Sequence, residues 1–353
     1  MHQDKKTLII LIPGFPANEE DGTCLPFPQS FVRNLRRLNP SLHIIVMAFQ
    51  YPFSESVYNW HGVRVHAFNG RNRGKISRLL LWWTVWRKLK NIMKENRVSV
   101  ILNFWLGECA LLGKYAAIRY NTRSFTWLMR QDAKKNNRYV SLVRPQPGSL
   151  IALSEAIAGE FQSNYSIRPA HTIPPGIDRI SFPPPVAEKY IDIMGAGSLI
   201  PLKQYDHFIQ AIAGIARSRP GIKAIICGDG PERPKLQQLI NDLGLNDQVE
   251  LRGELAHWQV LELMGASKIF LHPSSYEGFS IACAEALYGG AQVVSYCQPM
   301  GFIFDHQHIV NTQAELESTT NRLLHERNLC GDPVLTYPIE ETCSKMISLL
   351  ELI

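Results

Sequence analysis

Residues 271–287 read LHPSSYEGFSIACAEAL, and this stretch decides the fold class. The apolar run Lys268–Leu271 suits a buried strand that ends before the Pro-Ser-Ser turn at residues 273–275. A second run, Ile281–Tyr288, is typical of a helix. A strand that leads through a short turn into a helix is the repeating unit of a doubly wound α/β domain.

The turn between this strand and helix carries candidate binding groups. Glu277 stands on the turn and Glu285 lies just over one turn inside the helix, so both can face the crevice above the sheet. Carboxylates there accept hydrogen bonds from neutral hydroxyls, which suits recognition of a sugar. The backbone N–H groups around Phe279 and Ser280 open the helix and form an anion site fit for a diphosphate, which Gly278 allows to approach closely. The alternative is a capped surface helix with solvated glutamates.

Two further strand-to-helix turns resemble the first. Residues 195–205, GAGSLIPLKQY, place Lys203 just before a helix, where its ammonium suits a phosphate and can replace a metal in neutralising a departing diphosphate. The alternative is a solvated lysine. Residues 226–233, ICGDGPER, would bring Gly228 near a nucleotide. A dinucleotide fingerprint is excluded because Ile200 stands at its third glycine, and the chain has no GxxxxGK[ST] loop.

The same alternation of strands and helices extends over the whole chain. In the first half the strand candidates are Thr7–Pro13, His43–Phe49, Val98–Phe104, Phe125–Met129 and Ser149–Leu153, and the helix candidates are Phe31–Leu38, Ile76–Met93, Glu108–Arg119 and Glu155–Gln162. In the second half the strands are Tyr190–Met194, Ala224–Cys227, Val249–Leu251, Lys268–Leu271 and Gln292–Tyr296, and the helices are Tyr205–Ser218, Pro234–Leu243, Trp258–Ala266, Ile281–Tyr288, Ala314–Glu326 and Pro338–Leu352.

A proline-rich break divides the two halves. Five prolines between residues 171 and 186 forbid regular helix and predict a stiff linker. We therefore predict two doubly wound, Rossmann-like α/β domains, residues 1–178 and 179–338, that face each other across a cleft. The last helix, residues 339–353, is expected to cross back to the first domain.

Composition excludes several classes of protein. The chain has 353 residues, of which 45% are hydrophobic and 19% charged, so its bulk is not disordered. No apolar run approaches the roughly 20 residues that span a bilayer, and the N-terminus lacks a secretory apolar core, so we expect a cytoplasmic protein. The seven cysteines are scattered, without a CxxC pair, which argues against a disulfide scaffold or a zinc knuckle.

The charge is distributed unevenly between the halves. Residues 1–180 contain 25 Lys and Arg against 11 Asp and Glu, whereas residues 181–353 contain 12 against 20. A positive half attracts an anionic partner such as a membrane surface, a nucleic acid or an acidic acceptor, unless the basic residues merely solvate the domain. A nucleic acid is not expected, because no recognisable binding module is present.

The helix candidate Ile76–Met93 has two interpretations. Ten basic residues and one acidic residue lie between Arg64 and Arg97, and apolar side chains recur at helical spacing: Leu79, Trp82, Trp86, Leu89 and Met93. This pattern fits an interfacial helix on anionic lipid. It also fits a core helix whose other face is solvated, which we favour because apolar residues nearly encircle the helix.

The three turn segments stand in the order and spacing of the retaining, family-4-type glycosyltransferases of the GT-B fold, also known as glycosyl transferases group 1. The resemblance is strong over residues 190–296, and ALSEAI (152–157) and IPPGID (173–178) are similar to the family's SE and IPNGVD strings. FQYPF (49–53) and NWHGVRVHAF (59–68) resemble bacterial members that build surface polysaccharide or lipid-linked sugars.

This resemblance implies roles for the residues of the turns. Glu277 would contact sugar hydroxyls, Glu285 the ribose and Lys203 the donor diphosphate. Phe279 and Ser280 would lie against the sugar and phosphate through their backbone. The implied donor site is completed by Gly14, Ser198, Gly228 and Gly278, and Lys203 and Glu277 are the implied catalytic residues.

The chain departs from the family at three places. Ser198 stands where the lysine usually has an arginine partner, and Arg130 is a candidate replacement. The family's HGxD string aligns with residues 129–132, so that Asp132 remains as a spare catalytic candidate on the acceptor side, beside Arg130. The N-terminal Gly-Gly loop is reduced to Gly14 and Gly22.

The resemblance implies an enzyme that moves a sugar from a UDP- or GDP-linked donor to a glycan or lipid-linked acceptor with retention, in bacterial surface polysaccharide or glycolipid synthesis. No metal cofactor is expected, because no DxD cluster occurs. Contact with the inner, anionic face of the cell membrane is part of this expectation. The alternative is a non-catalytic nucleotide-sugar- or glycan-binding protein on the same fold, which Ser198 and the missing acceptor-side histidine favour.

Overall fold

The chain forms two compact α/β units. The computed structural model describes residues 6–352 except residues 75, 187, 300, 327, 328 and 330. The first unit takes the chain up to Gly176 and again from Ile339, and the second runs from Ile177 to Pro338. The predicted cleft between two domains stays a prediction.

The first unit is built on an eight-stranded sheet in the order β3-β4-β2-β1-β5-β6-β7-β8. Its strands are β1 (Thr7–Gly14), β2 (His43–Tyr51), β3 (Glu55–Trp60), β4 (Val63–Phe68), β5 (Val98–Phe104), β6 (Arg123–Leu128), β7 (Leu150–Ala152) and β8 (His171–Thr172). Every neighbouring pair is parallel except β3 and β4. The near-continuous apolar run of β1 follows from its central place, where helices cover both faces.

The hairpin of β3 and β4 is absent from the sequence predictions. Its turn is His61-Gly62, and both residues have positive φ (44° and 76°), as a two-residue hairpin turn with the right twist requires. The exposure of β3 alternates along the strand, because one face lies toward solvent. A histidine at the first turn position hides the usual Asn-Gly signal, which explains why the sequence did not indicate a turn.

In the described part of this unit before Gly176 the helices are α1 (Pro26–Leu38), α2 (Ile76–Glu95), α3 (Glu108–Tyr120), α4 (Arg138–Val143) and α5 (Glu155–Tyr165). The sequence predicted neither α4 nor the first turn of α1. On α2, Leu81, Val85 and Leu89 are buried, but Leu79 is 61% exposed. The expectation of a core helix is therefore right for one face of α2 and wrong for the exposed apolar residues near its start, such as Leu79.

The second unit has a six-stranded, wholly parallel sheet in the order β11-β10-β9-β12-β13-β14. Its strands are β9 (Ile191–Ala196), β10 (Ala224–Cys227), β11 (Val249–Gly253), β12 (Ser267–His272), β13 (Gln292–Ser295) and β14 (Gln307–Ile309). Its helices are α6 (Tyr205–Ala216), α7 (Arg233–Asp242), α8 (His257–Gly265), α9 (Ile281–Tyr288) and α10 (Gln313–Leu324). Except for β14, every element was predicted to within two residues at most ends.

The last helix, α11 (Ile339–Leu350), belongs to the first unit and packs against α1. The Thr342 hydroxyl donates to the Pro174 carbonyl at 2.9 Å. A side chain on Gly176 would collide with Ile339, since a Cβ there would lie 2.4 Å from its Cα. The helix is thus held tightly where the chain re-enters the unit. Six cysteines are free thiols, and Cys330 lies outside the described residues.

Candidate functional site

The sheet of the second unit has a topological switch point between β9 and β12. From β9 the chain moves through β10 to β11, and from β12 it moves the other way through β13 to β14. In open parallel sheets ligands bind at such a point, outside the carboxyl ends of the strands. Lys203 follows β9 and Glu277 follows β12, so the topology places both predicted residues there.

Lys203 and Glu277 contact each other directly. The Lys203 ammonium lies 2.5 Å from Glu277 Oε1, and the two side chains are 15% and 9% exposed. His272, the last residue of β12, places its Nε2 2.9 Å from the same oxygen. Because a carboxylate only accepts hydrogen bonds, this nitrogen carries a proton. One carboxylate is therefore held by a lysine and a histidine from two different strand ends.

The surroundings keep Glu277 ionised. Burial alone would raise the pKa of Glu277, but the hydrogen bond from His272 and the charge of Lys203 outweigh burial, and the pKa lies well below its ordinary range. The site thus carries one fixed negative and one fixed positive charge at physiological pH. A carboxylate of this kind accepts hydrogen bonds from hydroxyls, while the ammonium offers its charge to an anion.

Backbone contacts hold the two turns together. The Ser275 amide donates to the Leu202 carbonyl at 3.0 Å, which fastens the turn after β12 to the 3₁₀ turn Pro201–Lys203. Gly197 has a φ of +145°, and a Cβ on it would lie 3.4 Å from Lys203 Cε. Gly228 has a φ of +140°, and a Cβ there would lie 2.0 Å from the Gly197 carbonyl. The structure therefore places Gly228 against the turn that follows β9 and carries Lys203, where only glycine fits.

The start of α9 is the third part of this site. Ser280 is its N-cap, with a φ of 65°, and no side chain among the described residues caps the helix. The Ser280 hydroxyl instead lies 2.9 Å from Cys283 Sγ. Phe279 is buried and packs its ring against Tyr337, 5.8 Å between centroids. Since the first amides of a helix have no intrahelical acceptor, this end is suited to an anion, with Gly278 in the turn before it.

Glu285 is paired with a residue that sequence reasoning missed. Its Oε1 lies 2.7 Å from His257 Nε2, and the two side chains are 11% and 20% exposed. His257 is the first residue of α8, just after β11 at the same edge of the sheet. Its place just after a strand is a signal that the sequence did contain. His272, which ends an apolar strand before the turn, is a second site residue that sequence reasoning missed and that the same signal could have found.

The remaining predicted residues lie elsewhere. Ser198 is exposed on the loop after β9. Gly14, Arg130 and Asp132 belong to the first unit. Gly14 ends β1 beside Tyr51, and Arg130 opens a 3₁₀ turn that continues to Ala133. The roles proposed for these residues stay predictions.

Asp132 is a buried carboxyl that ties two loops together. Its Oδ2 accepts the amides of Leu106 at 3.0 Å and Met129 at 2.8 Å. Burial raises the pKa of Asp132 to about 7, although these two hydrogen bonds oppose the shift. This geometry gives Asp132 a structural task in positioning the loop after β5.

The comparisons with known proteins agree with this geometry. Residues 176–315 match the family model of the glycosyl transferases group 1. Over 98 residues the chain is 41% identical to an exopolysaccharide phosphotransferase of Streptomyces coelicolor, covering 28% of this chain and 10% of that protein. Over 158 residues it is 28% identical to the MMP alpha-(1->4)-mannosyltransferase of Mycolicibacterium hassiacum, covering 43% of this chain and 38% of that protein.

The fold extends over the whole chain. The structure of Anabaena HepE in complex with UDP-glucose is similar with a TM-score of 0.70 and 17% identity, covering 98% of this chain and 96% of that one. The fold is therefore GT-B, and the resemblance to the group 1 glycosyltransferases is confirmed. The matched stretches span less than two fifths of the two curated relatives' own length. Within the described residues, no helix is long and apolar enough to cross a membrane.

Proposed function

We propose that this protein is a glycosyltransferase that moves a sugar from a UDP- or GDP-linked donor to a glycan or lipid-linked acceptor with retention of configuration. The observation that carries the proposal is the buried Lys203–Glu277 pair at the switch point, beside the uncapped start of α9. The site combines an ammonium and helix amides for a diphosphate with a carboxylate for hydroxyls. A nucleotide sugar presents these two kinds of group side by side.

The chemistry follows from the charges. As the bond between sugar and phosphate breaks, negative charge builds on the departing diphosphate. Lys203 and the amides around Ser280 stabilise that charge without rearranging, which is electrostatic preorganisation. Glu277 holds sugar hydroxyls and Glu285, oriented by His257, holds the ribose. The acceptor hydroxyl then adds on the same face and passes its proton to the leaving phosphate, so transfer requires neither a dedicated base nor a metal ion.

Known relatives support the donor class. The HepE structures contain UDP or UDP-glucose, and the matching mycobacterial protein is a mannosyltransferase. The exopolysaccharide phosphotransferase of Streptomyces coelicolor supports a role in surface polysaccharide. We place the reaction in the cytoplasm, where nucleotide sugars are substrates.

The exposed start of α2 supports contact with the inner face of an anionic membrane. Ile76, Leu79, Leu80 and Trp83 are 58% to 73% exposed and recur on one face. The Arg87 guanidinium lies 4.6 Å from the Trp83 ring centroid. Apolar side chains beside cations are suited to an anionic lipid surface.

Liposome sedimentation tests this membrane contact. The protein should bind vesicles that contain anionic lipid, and Trp83→Gln should weaken that binding. Ile118→Gln is the matched control, because Ile118 is 68% exposed on α3. Equal binding to neutral and anionic vesicles, or equal loss in both variants, would contradict this part of the proposal.

Nucleotide release tests the activity. The protein is incubated with UDP- and GDP-sugars and a panel of glycans and lipid-linked sugars, and free nucleotide is measured. Acceptor-dependent release is expected, and Glu277→Ala should abolish it. Asp192→Ala is the matched control, because Asp192 accepts from Lys268 in a similar ion pair of 2.7 Å at the opposite end of β12.

The second candidate function is a non-catalytic nucleotide-sugar-binding protein. The observation that favours it is Ser198, which leaves the lysine without the arginine that usually shares the diphosphate. Binding of a nucleotide sugar without release of nucleotide under any of these conditions would select this second candidate. The absence of binding to every UDP and GDP compound would contradict both.

A further inference from the structure

A second pocket lies in the first unit and is separate from the lysine–glutamate pair. It has a volume of about 640 Å³ and opens at the carboxyl ends of β1, β2 and β5, where Pro13, Gln50 and Phe104 line it. This edge of a parallel sheet is where ligands bind, and the volume is within the usual range for small-molecule sites. Asp132, the acceptor-side candidate of the sequence analysis, lines this pocket, but the class of molecule that the pocket binds is still open.

The wall of this pocket is strongly basic. Four cationic side chains line it, from α2, the loop before α4 and the start of α4: Arg78, Lys134, Lys135 and Arg138. Arg78 and Lys135 form no ion pair within the part of the chain that the structure describes. The Arg138 guanidinium rests over the Tyr139 ring at 5.3 Å, and both side chains line the pocket.

The two carboxyl groups in the wall do not neutralise these cations. Glu108 accepts hydrogen bonds from the Gln50 amide and from the Trp82 indole, the latter at 2.6 Å. Asp132 accepts two backbone amides, and burial raises its pKa to about 7. Both acids accept hydrogen bonds from neutral donors, and four cations against two acids leave the wall with an excess of positive charge.

Trp105 gives this wall a strained backbone. It has a φ of 69°, a left-handed conformation that a bulky residue adopts only when its surroundings impose it. Its indole nitrogen is buried without a hydrogen-bond partner among the described residues. No side chain caps the start of α3 at Gly107, which lies in the same wall.

We propose that this pocket binds the acceptor of the transfer reaction through an anionic group, a phosphate or a carboxylate, held by Arg78, Lys135 and Arg138. The inference rests on the proposed function and names its acceptor class. A cationic wall favours an anion, and Arg78 and Arg138 offer paired N–H donors to its oxygens. A neutral glycan would leave the cations without a partner.

Calorimetric titration tests the proposal with probes of known charge. Glucose 1-phosphate and glucuronate should bind the full-length protein at least tenfold more tightly than glucose, and raising the salt concentration should weaken both. The variants Arg78→Gln and Arg138→Gln should each weaken anion binding by about tenfold. Lys94→Gln is the matched control, because it removes an exposed cation of the same helix α2 outside the pocket.

Crossed variants separate this site from the donor site. Lys203→Gln should weaken UDP binding and leave glucose 1-phosphate binding unchanged, while Arg78→Gln should do the reverse. If glucose binds as tightly as the anions, or if Arg78→Gln and Arg138→Gln bind them like the wild type, the inference is overturned even though UDP still binds. If UDP fails to bind while the anions bind as expected, the proposed function fails and the anion site stands.

A further arm distinguishes soluble from lipid sources of the anion. Dodecyl phosphate carries the same group on an alkyl chain, and Leu79 and Leu80 are exposed next to Arg78 on α2. Tighter binding of dodecyl phosphate than of glucose 1-phosphate, lost in Leu80→Gln, would support a lipid-linked acceptor. Equal binding, unaffected by Leu80→Gln, would support a soluble one, and both results require the cations named above.

Discussion

Replacing Lys203 by methionine removes the ammonium and keeps most of the side-chain volume. Glu277 is then left in a site where it is 9% exposed, with His272 as its remaining charged or polar partner among the contacts described above. Removal of one partner from a buried ion pair lowers the free energy of unfolding by about 3–5 kcal/mol. Because the hydrogen bond from His272 to Glu277 is retained, we expect this variant near the lower value. For a unit of this size, the melting temperature should fall by roughly 6–12 °C.

The effect on catalysis should be larger than the effect on stability suggests. The departing diphosphate loses a preorganised positive charge, so kcat should fall by roughly 10²–10³-fold. Removal of one preorganised donor from other enzymes has an effect of this size. Acceptor-dependent release of nucleotide measures kcat, and thermal unfolding measures stability. The double variant Lys203→Met, Glu277→Gln should recover most of the lost stability, because the uncompensated charge is gone, but it should not recover turnover.

The matched control for this experiment is Lys268→Met. Lys268 lies 2.7 Å from Asp192 at the beginning of β12, whereas Glu277 follows its end. This variant removes a lysine from a comparable ion pair and should leave kcat near the wild-type value. A kcat for Lys203→Met within threefold of the wild type, at saturating donor, would refute the reasoning.

Three further predictions follow from other contacts. His257→Ala removes the partner of Glu285, so the KM for the donor should rise about tenfold with a smaller change in kcat. His257→Gln should restore part of the binding. An unchanged KM would contradict the ribose role of Glu285. Burial raises the pKa of Asp132 from 3.8 to about 7. The folded protein therefore holds this proton more tightly than the unfolded chain does. The stability that this proton contributes is complete below pH 4 and is lost as the pH rises through 7. From pH 5 to 8 the wild type should therefore lose about 2–3 kcal/mol of unfolding free energy relative to Asp132→Asn, measured by urea denaturation, and parallel pH profiles would count against it. Turnover should persist in excess EDTA, because Lys203 and the start of α9 supply the positive charge; a loss of activity that Mg²⁺ restores would show otherwise.

Local patterns were sufficient for the second unit. The helix α9 has the predicted bounds, because the turn 273–280 and the apolar run after it leave little choice of where a helix begins. The meeting of Lys203 and Glu277 was predictable as well, since residues that follow adjacent parallel strands lie at one edge of the sheet.

Pairings between distant segments were harder to predict. His257 and Glu285 meet because α8 packs against α9, and neither residue indicates the other in the sequence. The exposure of Leu79 depends on which side of α2 the rest of the unit covers, which an apolar periodicity does not reveal. Trp105 was not singled out at all, because its positive φ is visible only in the folded backbone.

A crystal structure of the protein with UDP tests the central claim most directly. The account predicts that the diphosphate oxygens lie within hydrogen-bond distance of the Lys203 ammonium and of the backbone amides at Ser280 and Ile281, with the ribose hydroxyls on Glu285. Density for the diphosphate elsewhere, with Lys203 still bound to Glu277 and the start of α9 vacant, would contradict it.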